Sequence, residues 1–478
     1  MGLRLGGSSV AVGGDDQRVD LAHPAQWSDG DVLQETAPYA PWFGRKAWGI
    51  FLAVTYPLLV VAPLAVLAAL NPLSDHMLSA EVGVDCAVVG FTILALQFAI
   101  TARLSWVEAP FGLDVLFVFH RAMALLATAL LCVHPVLVAS EEGWSLLGGG
   151  HVHWYVWVGR LALVVLLGQI VASLARRAIR LPYERWRHLH NGAALALLGL
   201  GCVHSLGAGE DMSGGGLLVW FALMAIAVGF WVYSHVVRRT LLLQHPCRVI
   251  GVEPEAPHVW TLTLELAEGR PFRFAPGQFQ FLRLHGAEIA SQEHPFTIAS
   301  SPTQPGRIGL TIKESGDFTA GIGRVRLGDR ATIQGPFGRF SYTLHRSDED
   351  LVFVAGGVGI TPLMSMLRFM RDRSEPRRVV LAYASRSAAD MLFTSELGAM
   401  QARQRPALTV VPVLADPHPG WTGETGRLDA ERVASLCGGI ESKAFYLCCP
   451  PPMTAALVRG LRRLGVSPRR IHTDHFSL

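Results

Sequence analysis

The sequence predicts a six-helix transmembrane bundle followed by a soluble half made of a small β-barrel and an α/β layer. Three observations predict it. The chain is 50% hydrophobic and only 17% charged, where ordinary soluble domains carry about 25% charged residues, and its mean hydropathy is +0.33. Six apolar stretches of near-spanning length fill the chain up to about residue 240. Beyond that point the pattern turns to short alternating strands, and from about residue 350 to strand, glycine loop and helix. The 478 residues suffice for about three domains. A net charge of +3 is too weak to point to nucleic acid, and seven cysteines without a CxxC pair exclude a disulfide scaffold. No period recurs, which excludes repeat arrays, collagen and coiled coil.

Taken in order, residues 1–44 are rich in Gly, Asp and Pro and carry no apolar run. They lack the basic start and apolar core of a signal peptide and read as a mobile cytosolic arm. The membrane domain is expected over 45–240, the β-barrel over 241–345 and the α/β domain over 346–478. The apolar stretches run roughly over 47–70, 84–104, 115–138, 154–175, 189–207 and 217–237, each near the ~20 residues that a helix needs to cross a bilayer. The fifth is the weakest, because it contains Asn191, several glycines and two histidines. Arg45, Lys46, Arg103, Arg176, Arg177, Arg180, Arg185, Arg187, Arg238 and Arg239 fall on one side of the resulting topology, whereas loops 71–83, 139–153 and 208–216 contain no Lys or Arg. That asymmetry places both termini in the cytoplasm.

Polar residues inside spanning helices are costly and mark function. The third stretch carries His120 and His134 and the fifth carries His190 and His204, in both cases fourteen residues apart. Fourteen helical steps return to within about 40° of the same face and rise ~21 Å. The two helices run in the same direction, so His120 is expected level with His190 near the cytosolic side, and His134 level with His204 near the outer side. Two facing imidazole pairs make two bis-imidazole sites of the kind that hold a low-spin haem; hydrogen bonding between helices is the alternative. His188 competes with His190 for the inner position. Arg121 adjoins His120 and either meets a haem propionate or snorkels to the interface. Arg160, inside the fourth helix, needs a buried partner, either a propionate or anionic acceptor or a protein group.

In the soluble half, His294-Pro295-Phe296-Thr297 follows a run of strands; Thr297 offers a hydroxyl for a flavin N5 and Phe296 an apolar face for a ring. Lys313 precedes Gly316-Asp317-Phe318-Thr319, where a glycine lets backbone approach a pyrophosphate and Thr319 can add a hydroxyl. Singly, each piece also reads as an ordinary turn. Strand Leu351–Ala355 runs into Gly356-Gly357-Val358-Gly359-Ile360-Thr361-Pro362 and a helix, a loop suited to a dinucleotide pyrophosphate although not the strict GxGxxG. The next strand ends in Ser385-Arg386, and an Arg there can meet a 2′-phosphate, which favours NADPH over NADH; a solvated Arg is the alternative.

In this order the features resemble the ferric reductase and NADPH oxidase family of transmembrane flavocytochromes, over roughly residues 115–478. The paired histidines resemble its haem ligands, His294–Thr297 its HPFT flavin motif and Gly356–Pro362 its nicotinamide loop. Cys448-Cys449-Pro450-Pro451-Pro452-Met453 resembles its Cys-Gly-Pro motif, with Cys449 in place of the glycine. Phe476 falls where the family stacks an aromatic on the flavin, with Asp474 in place of the commoner Glu. The resemblance implies an FAD-binding β-barrel and an α/β nucleotide-binding domain of the ferredoxin-NADP reductase type. It also implies two haems b, with electrons passing from NADPH through FAD and the haems to an acceptor outside. Thr297, Cys448 and Phe476 are then expected at the hydride-transfer site.

The expected setting is a bacterial-type inner membrane, with lipid around the bundle and no nucleic acid partner. Four functions compete. The first is a reductase of external ferric chelates, and the second an oxidase that passes electrons to O2. The third is an electron-supplying subunit for a periplasmic protein, and the fourth a metal transporter with a redox-sensing domain, which predicts a metal path through the histidines and no haem. Glu141, Glu142, His151 and His153 in the third and fourth helices' outer loop either dock a metal chelate or are simply solvated.

Overall fold

The computed structural model describes residues 45–474 except 71–77, 149–151, 177, 210–214, 239–244, 268–271, 287–290, 346–347 and 349; the N-terminal arm therefore lies outside the described residues. The membrane half begins with α1 (Arg45–Leu70) and α2 (Leu78–Thr101). A seven-residue helix, α3 (Ser105–Phe111), precedes α4 (Leu113–Glu142), α5 (Trp154–Ala175), α6 (Tyr183–Ala208) and α7 (Gly215–Val232). All except α3 are long and apolar enough to span a bilayer. Ile50, Leu58, Val118, Val164, Leu174 and Leu218 stand more than half exposed on their outer faces, as expected where lipid rather than water is the neighbour. α4 packs chiefly on α2, and α6 chiefly on α5.

Two helices start more than a turn earlier than the sequence reading. The second helix starts at Leu78, where the Ser79 N–H donates to Glu141 Oε1 across 3.0 Å. The fifth starts at Tyr183, so the charged turn containing Glu184 and Arg187 is helical and internally paired at 2.7 Å.

The first soluble sheet comprises β1 (His245–Ala256), β2 (Val259–Leu266), β3 (Phe279–Leu284), β4 (Glu293–Thr297), β5 (Arg307–Lys313) and β6 (Arg330–Phe337). It is antiparallel throughout, in the order β4-β3-β6-β1-β2-β5. Alternation decides its inner face: Leu262 and Leu264 point inward with Leu310 and Ile312. The expected barrel is not formed as a closed ladder. Among the described residues its edges meet through bonds such as Ala299 N–H to Gly309 O, at 2.8 Å, and Gly309 N–H to Ser300 Oγ, at 3.0 Å.

The second sheet comprises β7 (Asp350–Gly356), β8 (Arg378–Ser385), β9 (Ala407–Leu414), β10 (Glu424–Thr425), β11 (Lys443–Cys448) and β12 (Ile471–Thr473). It is parallel, in the order β10-β9-β8-β7-β11-β12. Helices α8 (Ile360–Asp372), α9 (Thr394–Arg403), α10 (Ala430–Leu436) and α11 (Pro451–Arg463) connect the strands. Leu351, Phe353 and Ala355 of β7 pack with Leu363 and Met366 of α8, whereas Val352 and Val354 pack with Val433 and Leu457 on the other face. A strand buried on both faces reads as an unbroken apolar run. The strand order reverses between β7 and β11, which is where doubly wound sheets bind ligands.

The halves are joined through α3. Glu108 of α3 accepts from Gly338 N–H at 3.1 Å, and Arg339 donates to Pro110 O. Arg103 pairs with Glu293 at 3.6 Å and lies 3.6 Å over the Phe281 ring. Burial and the nearby Arg238 lower its pKa to about 10, so it remains a cation. Beneath it, Ile100, Leu113 and Leu116 pack against Phe281 and Phe337.

Candidate functional site

The four span histidines form two pairs. His120 faces His190 with ring centroids 6.2 Å apart and planes at 72°. His134 faces His204 with the same separation and angle. The first pair lies toward the end of the bundle that meets the soluble half. His188 is exposed and belongs to neither pair.

Each imidazole is held at Nδ1. His120 Nδ1 lies 2.7 Å from Gln97 Oε1, His134 Nδ1 2.9 Å from Gly83 O and His204 Nδ1 2.8 Å from Tyr155 O. A carbonyl oxygen only accepts, so Nδ1 carries the proton in all three and Nε2 keeps its lone pair. His190 Nδ1 lies 3.2 Å from Gln169 Nε2, while Gln169 Oε1 is buried without a partner among the described residues. Rotating that amide by half a turn brings Oε1 to His190 Nδ1 and gives His190 the same tautomer. Glycines permit the approach: a Cβ on Gly159 would lie 2.7 Å from the His204 ring, and one on Gly83 would lie 3.1 Å from Leu137.

These pairs fit a haem iron. Metal–imidazole bonds of about 2 Å, plus about 1.1 Å from each nitrogen to its ring centre, give a centroid separation of about 6.2 Å. The gap is too wide for a direct hydrogen bond between the two Nε2 atoms.

The flanking candidates fare differently. Arg121 is exposed on α4. Arg160 has protein partners, donating to Leu146 O and lying 4.4 Å over Trp157. Glu141 is engaged by Ser79 rather than free for a chelate. His153 precedes α5 with its ring stacked on Tyr155, and His151 lies outside the described residues.

In the soluble half a cavity of about 280 Å³ is lined by Pro295, Phe296, Thr297, Phe340 and Asp474, and also by Phe111 of α3. His294 stacks on Phe318 at 4.2 Å, and burial lowers its pKa. Lys313 is exposed at the end of β5. Thr319 Oγ1 accepts from Ser315 N–H and Gly316 N–H and donates to Gly316 O. Its hydroxyl is thus engaged by the turn.

The β7 loop is built around its glycines. A Cβ on Gly356 would lie 2.6 Å from Pro450 Cδ, and one on Gly359 would lie 2.0 Å from Cys448 O. Gly357 has φ +56° and open space beside it. Thr361 donates to Val358 O at 3.0 Å and is buried together with Pro362, so both shape the loop from within. Cys448 is fully buried, and burial pushes its thiol well up, which makes it a packing group rather than a reactive one. Cys449 turns its Sγ to Val354 O at 3.4 Å, away from the open side of Gly357; a side chain in place of the family glycine is accommodated in the core. Arg386 is paired with Asp390 through bonds of 3.1 and 3.2 Å. Phe476 lies outside the described residues.

A cluster that sequence reasoning missed also reaches the cavity. His345 and His472 line it with ring centroids 4.0 Å apart. Asp348 Oδ2 accepts from Tyr446 O–H at 3.0 Å and lies 3.2 Å from His472 Nε2. Burial lowers both histidines, His345 to about 4.

Three family models match the chain. They are a ferric reductase-like transmembrane component over residues 86–201, an FAD-binding domain over 258–341 and an oxidoreductase NAD-binding domain over 353–459. The chain has the domain architecture of the ferric reductase and NADPH oxidase family. The transmembrane match and the six apolar helices make the chain a multi-pass membrane protein, and the FAD- and NAD-binding matches make its soluble half an NAD(P)H-dependent oxidoreductase module. The chain is 30% identical over 247 residues to the phenol hydroxylase P5 protein of Acinetobacter pittii, a match covering 49% of this chain and 66% of the relative. It is 28% identical over 242 residues to a flavohemoprotein of Bordetella pertussis, covering 48% and 60%. The chain thus spans two thirds or less of the length of these curated relatives. Among solved structures, the Amycolatopsis cytochrome P450 reductase GcoB is 26% identical with a TM-score of 0.44, covering 49% of this chain and 69% of that one.

Proposed function

We propose that the chain carries electrons from a cytosolic nicotinamide dinucleotide, through FAD and two haems b, across a bacterial-type inner membrane to ferric iron in an external chelate. NAD(P)H-driven electron transfer follows from the matched domains. The finer reading is carried by one observation: two imidazole pairs share the same 6.2 Å separation, one on each side of the bundle's middle. His120 with His190 would hold the inner haem, and His134 with His204 the outer. Haem supplies one-electron centres, and FAD converts a two-electron hydride into single electrons.

The chain's own residues bind and orient. Phe296, Thr297, Phe340 and Asp474 wall the flavin cavity, while Phe111 brings the membrane half to the same cavity. The Gly357 turn and the start of α8 offer the pyrophosphate an open, positive helix end. NADPH is the proposed donor, with Arg386 turning from Asp390 to a 2′-phosphate. The arginine-rich side of the bundle faces the cytoplasm, together with both termini.

The test is anaerobic reduction of the purified protein by NADPH, followed by mixing with a ferric chelate or with air. Faster reoxidation by the chelate supports ferric reduction. Faster reoxidation by air makes the protein an oxidase, and negligible rates with both point to a periplasmic protein acceptor.

A further inference from the structure

The two imidazole pairs are held by different kinds of acceptor. The outer pair rests on main-chain oxygens, Gly83 O and Tyr155 O. The inner pair rests on side-chain amides, Gln97 Oε1 at 2.7 Å and, once its amide is turned, Gln169. The supporting residues are themselves fourteen apart on α2 and on α5, the same spacing as the histidines they hold. Each of the pairs α2–α4 and α5–α6 therefore carries one half of the inner site and one half of the outer site.

The acceptors also differ in strength. Gly83 and Tyr155 lie within helices, so their oxygens are shared with a helical N–H four residues on. Gln97 is oriented from behind, its Nε2 donating to Ile93 O at 3.1 Å, which aims Oε1 at His120 with no helical bond to share. An acceptor on Nδ1–H makes the imidazole a stronger donor and stabilises the more highly charged oxidised iron. We infer that Gln97 is a positioning residue that lowers the reduction potential of the inner centre relative to the outer one, so that electrons run downhill away from the flavin side. The inference rests on the haem reading above.

The experiment is a spectroelectrochemical titration of the full-length protein with Gln97→Leu and Gln97→Glu, following haem absorbance. The unsubstituted protein should show two one-electron waves. Gln97→Leu should raise the lower wave by at least a tenfold change in its oxidised-to-reduced ratio, or 59 mV for one electron, and leave the upper wave in place. Gln97→Glu, a stronger acceptor, should move the same wave the opposite way. Should the Leu variant lose its inner haem, the Glu variant alone decides the sign. Shifts of the same sign in both variants indicate packing damage and overturn the inference, as does a lower wave that neither variant moves. Absence of haem bands from the unsubstituted protein overturns the reading beneath it, and the inference with it.

Discussion

Gly359 closes the loop after β7, and Cys448 ends β11 on the other side of the strand-order reversal. A Cβ on Gly359 would stand 2.0 Å from Cys448 O and 2.8 Å from its carbonyl carbon. Both neighbours are main chain, so no side chain can swing aside. Gly359→Ala therefore forces the two loops apart by more than about 1 Å, at a strain of about 1–3 kcal/mol. These loops flank the dinucleotide's expected place, and a misplacement of about 1 Å costs about 10²-fold in rate. Anaerobic stopped-flow reduction of the flavin by NADPH should slow by about that factor. Gly398→Ala, within α9, is the control, because nothing lies within 4 Å of its Cβ; its rate should be unchanged. A Gly359→Ala protein that reduces its flavin at the original rate would refute the reasoning.

The remaining expectations concern the other sites. His204→Ala should remove the outer haem's absorbance and leave flavin reduction by NADPH intact; loss of flavin reduction would show that the two halves are not separable. Asp390→Asn frees Arg386 from its bidentate pair and should raise the kcat/KM preference for NADPH over NADH about fivefold, the upper range of an exposed ion pair; an unchanged ratio would remove Arg386 from the nucleotide site. His345 titrates near 4 in the folded protein and near 6.5 when unfolded. The unfolded chain therefore holds more protons between those values, and stability falls as pH drops from about 6.5 toward 4. His345→Gln should flatten that slope in thermal melts of the whole protein; a slope as steep as the original would exclude this histidine.

Legibility in the sequence followed the strength of the physical signal. Histidines in apolar runs are conspicuous, and their spacing alone predicts which residues face each other. Gln97 and Gln169 lie in the same runs, but a neutral amide gains meaning only from the helix across from it. The short helix α3 contains Pro110 and ends at Gly112 with φ +84°, so on paper it reads as a loop; its value lies in Glu108 and Phe111 reaching the other domain. Barrel closure depends on how two edge strands meet, which alternation within each strand does not report. Thr319 reads as a ligand hydroxyl, yet it satisfies its own turn, a local competition that residue type does not decide. Arg386 meets Asp390 one turn away, and the His345–His472–Asp348–Tyr446 cluster brings together three separate segments.

The central claim is that two one-electron centres accompany the flavin. Anaerobic titration of the FAD-loaded protein with NADPH, followed in the visible spectrum, tests it most directly. A flavin takes two electrons and each haem takes one, so the account predicts haem bands and an end point of about two dinucleotides per chain. An end point of about one, with flavin bleaching and no haem band, would contradict it.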